Sequence, residues 1–175
     1  MPSMTAFELE VRRATHPEFA AFLRLALDAK LATVDEVVRW ADSVVLSEAR
    51  PPAWSIDLAL CRTWPLQRIS DALTAASVGA EGDVVRGLLA ARLAGAVRRG
   101  ELDAQRAIAL AWSLPFRKAD PEPFDALTRA VFATSECLDG VEEGWMTPEA
   151  AAAIFREAFA PFAQREWRAS EEVDP

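Results

Sequence analysis

Residues 83–100 read DVVRGLLAARLAGAVRRG, and the reading of this stretch decides the fold. At about 100° per residue, Val85, Leu89, Leu93 and Val97 share one side of a helix, a period no strand can satisfy. Gly87, Ala91 and Gly95, spaced i, i+4 and i+8, make a flat seam on another side. Small residues there let a second helix come close. Asp83 is placed to accept the first free backbone amides, and Gly100 suits the left-handed residue that ends a helix. The stretch therefore predicts a helix over 84–99 that packs on more than one side, the candidate central helix of an all-α protein.

The same entry and exit chemistry recurs outward from it. Thr15 with Glu18 and Thr33 with Glu36 each form a T-x-x-E capping box, and Thr5 with Glu8 offers a third. Pro51-Pro52, Trp64-Pro65, Asp103, Asp120-Pro121 and Thr147-Pro148 mark further starts; Gly79, Pro115 and Gly140 mark stops. The expectation is a single compact multi-helix domain of about eight helices joined by short loops. They fall near 16–31, 34–48, 52–62, 65–77, 84–99, 103–114, 121–139 and 148–167. Residues 1–14 form an arm or short helix, 15–168 the domain, and 169–175 an acidic tail. Phe7-Glu8-Leu9-Glu10-Val11 is the one strand-like alternation. Amphipathic faces appear at Val34, Val37, Val38, Ala41, Val44 and Val45, at Ile69, Ala72, Leu73 and Ala76, and at Phe155, Ala158, Phe159 and Phe162.

Two charges interrupt apolar arcs. Asp57 lies within ARPPAWSIDLALC, residues 49–61, and points between Ala53 and Leu60 on one side and Trp54 and Cys61 on the other. Arg86 lies within roughly 20° of both Leu93 and Val97. A hidden anion and a hidden cation predict a buried Asp57–Arg86 pair, because an unpaired buried charge is very costly. The competing reading makes Asp57 a pocket carboxylate of an enzyme.

No catalytic template accompanies it. His16 is the only histidine, and it precedes Pro17 at a helix start, where an exposed flank is expected. No HExxH or CxxC spacing suggests a metal, and Gly79-Ala-Glu-Gly82 matches no phosphate-binding loop. No cofactor is implied. Cys61 and Cys137 are too few for a disulfide scaffold and are expected to be reduced and buried. A net charge of -8 opposes nucleic-acid binding. The cluster Arg92, Arg98, Arg99 and Arg106, with Glu101 and Asp103 beside it, reads as surface ion pairs.

The 175 residues contain no apolar run of the roughly 20 residues a membrane span requires. The opening MPSMTAFELEVRR lacks the basic and apolar regions of a signal peptide, so a cytoplasmic location is expected. Arg outnumbers Lys 17 to 2, Asn and Tyr are absent, and Ala is abundant, which points to a GC-rich bacterial genome.

The strongest functional signal is ECLDGVEEGWMTPE, residues 136–149. Glu136, Asp139, Glu142, Glu143 and Glu149 occur in an interval with no Lys or Arg, and Trp145 and Met146 lie among them. Read as a loop, it presents an aromatic anchor inside an electrostatic rim; read structurally, Trp145 folds back as a staple beside the Thr147 cap. The function expected is noncatalytic binding of another, basic protein, as an inhibitor or immunity-type partner. The alternatives are a small helical enzyme using buried carboxylates and a homo-oligomeric scaffold.

Overall fold

In a computed structural model the described residues are 14–114 and 126–163, and all regular structure among them is helical, with no strand. The elements are α1 His16–Asp28, α2 Val34–Ser47, α3 Ala53–Ala59, a 3₁₀ turn Cys61–Thr63, α4 Leu66–Ala76 and α5 Gly82–Arg98. They continue as α6 Ala104–Ser113, α7 Ala126–Ala133, α8 Ser135–Glu142 and α9 Pro148–Ala163. None is long and apolar enough to cross a membrane. The expected arm with Thr5, Glu8 and Phe7–Val11, the stop at Pro115, the start at Asp120-Pro121 and the tail 169–175 lie outside the described residues.

Helix starts follow local side-chain chemistry. Both capping boxes form at the first two helices: the Thr33 amide donates to Glu36 Oε2 at 2.9 Å while the Glu36 amide donates to Thr33 Oγ1 at 3.3 Å. The Arg106 amide donates to Asp103 Oδ1 at 2.9 Å. These contacts satisfy amides that have no partner within the helix itself. Ends are less local. Helix α1 stops at Asp28, three residues early, because Lys30 adopts φ 58° and the Leu31 amide reaches back to Ala26 O at 2.7 Å. That left-handed closure is one glycine normally supplies, as Gly79 and Gly100 do here.

The helices cluster into two compact units, 14–85 and 86–163, divided within α5. In the first, α1 packs on α4, α2 on α3, and α3 on α4, over a core that includes Phe22, Leu23, Val37, Leu58, Ile69 and Leu73. Trp40 of α2 and Trp54 of α3 stack with centroids 5.2 Å apart and planes 16° apart, tying the two helices together. The His16 ring stands edge-on to both, at 6.5 and 6.0 Å, and its Nε2 lies 3.4 Å from Glu48 Oε1. His16 is thus a surface residue gathered into an aromatic cluster rather than an idle flank.

Asp57 corrects the sequence reading, since its side chain is exposed and so is no buried charge. The seven-residue α3 buries only Ser55 and Leu58, one narrow stripe. Its apolar neighbours Ile56 and Leu60 are themselves 45% and 71% exposed, so the arc around Asp57 is apolar without being interior. Ser55 is buried at no cost in orphaned groups, because its hydroxyl donates to Pro52 O at 2.7 Å.

Helix α5 is buried without interruption from Val84 to Ala96. Arg86 is buried as its angular position required, and its Nη2 donates to Thr128 Oγ1 of α7 at 3.3 Å. Arg92, expected in a surface cluster, is buried too; Arg99 does form the expected surface pair, with Glu101, at 2.6 and 2.7 Å. In the second unit α9 packs on α6, α7 and α8, and Phe155 stacks on Phe159 at 4.4 Å.

The segment expected as one helix ending at 139 is two, α7 and α8. Thr134 is fully buried, and its hydroxyl donates to Val131 O at 2.9 Å. The Thr134 and Cys137 amides bond three residues back instead of four, which tightens the backbone there.

Ala91 has no exposed surface. Ala91→Leu should therefore destabilise by overpacking, by about 1 to 3 kcal/mol, measured as a shifted urea midpoint.

Candidate functional site: the acidic face of α8 and its turn

Residues 136–149 do not form a single loop. Helix α8 carries most of them, and a short turn leads into α9. At 3.6 residues per turn, Glu136, Asp139, Glu142 and Glu143 fall within an arc of roughly 120°, and all four are exposed. Cys137 and Gly140 face inward and are buried. Glu149 is exposed in the first turn of α9, where a negative charge suits the positive end of the helix dipole.

Gly140, expected as a stop, lies inside the helix. The chain turns at Gly144 instead, with φ 79°, a value strained for any side chain. Gly140 has a different use. A Cβ built there would lie 2.8 and 2.9 Å from Trp145 Cζ2 and Cη2 and 3.1 Å from Met146 Cβ. The missing side chain lets the indole lie against the helix. The Met146 amide donates to Gly140 O at 2.9 Å, and Trp145 Nε1 donates to Glu143 Oε2 at 3.1 Å. Thr147 then caps α9, its Oγ1 accepting from the Ala150 amide at 3.2 Å.

The two readings of Trp145 are therefore combined. The indole folds back against Gly140, yet it remains 58% exposed, while Met146 is half-buried. It is held in place and still presents area to solvent.

Beside the acids an open cleft of about 390 Å³ is lined by Trp112, Ser135, Glu136, Leu138 and Asp139. Trp112 comes from α6 and meets Phe132 edge-to-face at 6.1 Å. Its part in this wall was not legible in sequence, because nothing local links residue 112 to 136. Two carboxylates and an aromatic wall suit a guanidinium or ammonium group.

The thiols do not add a nucleophile. Cys61 and Cys137 are free and buried. Burial pushes both pKa values up; a backbone hydrogen bond partly opposes this at Cys61, and the neighbouring Glu136 charge adds to it at Cys137. Among the described residues no cluster of three His, Cys, Asp or Glu is placed to hold a metal ion. No family model, curated protein or solved structure matches this chain.

Gly140→Ala should drive Trp145 off the helix, red-shifting tryptophan emission. A thiol reagent at pH 8 should label native Cys61 and Cys137 far more slowly than the unfolded chain, because a raised pKa lowers the thiolate fraction and burial blocks access. Equal labelling rates would contradict that protection.

Proposed function

We propose that this is a noncatalytic, cytoplasmic bacterial binding domain that meets a basic protein through the exposed face of α8 and the turn 143–147. An inhibitor or immunity-type role is the narrower form of this reading. The observation that carries it is Trp145, 58% exposed yet fixed by Gly140 and Glu143 among five exposed acids. A side chain already ordered loses less entropy on binding, so more of its contact energy appears as affinity. The acids act differently. Single exposed charges contribute little to affinity, but a patch of one sign accelerates encounter and discriminates against acidic partners.

The test is a nuclear magnetic resonance titration with an arginine-rich peptide. Shift changes should centre on Glu136, Asp139, Glu142, Glu143 and Trp145 and fade as salt screens the charges over about 10 Å at 0.1 M. Glu142→Lys with Glu143→Lys should abolish them. Against a protein partner, that double change should mainly slow association, and Trp145→Ala should mainly speed dissociation. Shifts centred elsewhere, or insensitive to both variants, would remove this face as the binding surface.

A further inference from the structure

We propose that a pocket between α5 and α9 binds a medium-chain alkyl carboxylate. It has a volume of about 270 Å³, just below the usual range for ligand pockets of roughly 300 to 1,000 Å³, which suits a small ligand. Three alanines make the slot: Ala94 on α5, and Ala160 and Ala163 on α9. Phe155 and Phe159, stacked on one another and buried, form its apolar floor.

Among the described residues the polar side chains in the lining are both cations. Arg98 stands one turn beyond Ala94, and Arg156 stands one turn before Ala160. Both are exposed, and neither pairs with a carboxylate among the described residues, whereas the adjacent Arg99 is held by Glu101. An anion seated at the mouth of the slot would be attracted by both cations.

The chemistry that satisfies both parts is an anionic head on an apolar tail. A carboxylate matches the planar fork of a guanidinium, and the alkyl chain removes the alanine and phenylalanine surface from water. Among the described residues no hydroxyl lines the pocket, so none of them supplies the further donors that a phosphate ester calls on. None of these residues belongs to the acidic face, and the two proposals stand or fall separately.

Octanoate and octan-1-ol, titrated calorimetrically below aggregating concentrations, test it. Octanoate should bind saturably at one site, and the uncharged alcohol about tenfold more weakly. Arg98→Gln with Arg156→Gln should weaken octanoate about tenfold and leave octan-1-ol unchanged. Ala160→Trp, at an exposed position, should fill the slot and abolish both while circular dichroism and the urea midpoint stay as in the parent. No saturable binding of octanoate, equal binding of acid and alcohol, or undiminished octanoate binding by either folded variant would overturn the proposal.

Discussion

A helix buried from Val84 to Ala96 has no solvent side to which a polar group can turn. Every residue in that span must be small, apolar, or supplied with a partner inside the protein. The sequence meets the first two demands with Gly87, Ala90, Ala91, Ala94 and Gly95 and with Val85, Leu88, Leu89 and Leu93. Arg86 and Arg92 are the charged members of the span, and the Arg86 guanidinium donates to Thr128. Leaving a buried polar group without a hydrogen-bond partner costs the desolvation of that group, so this contact constrains how α7 lies on α5. Through α7 it bears on α8 and α9, which pack against it.

How legible the molecule was depended on the range of the interaction involved. Capping boxes, proline starts and the glycine ends at Gly79 and Gly100 act over three or four residues, and the helices they announce within the described residues are present. Asp57 failed because an apolar arc was taken for an interior one. Burial depends on what lies opposite, and α3 is too short to be covered around its circumference, as the exposure of Leu60 shows. Arg86 lies in the part of α5, Val84 to Ala96, that is buried throughout, and Arg92 in the same span, read as a surface residue, is buried with it. The break at Thr134 was missed because a buried threonine bonding to its own backbone looks, in sequence, like any helical threonine.

The acids of 136–149 illustrate a middle case. Their spacing and the absence of nearby Lys and Arg were plain in the sequence, but their support was not. Gly140 reads as punctuation and serves instead as the space into which an indole fits. Within the same unit acids line one face of α8, while Arg98 and Arg156, with no carboxylate partner among the described residues, flank the slot of α5 and α9. Net charge alone conceals that division.

The stacked indoles of Trp40 and Trp54 also have a spectroscopic consequence. Two such chromophores held nearly parallel at 5.2 Å couple as excitons, and their band overlaps the far-ultraviolet signal of the helices. Ellipticity in that region will report the sum of both. Loosening α2 from α3 would then alter the apparent helix content without unwinding a single turn.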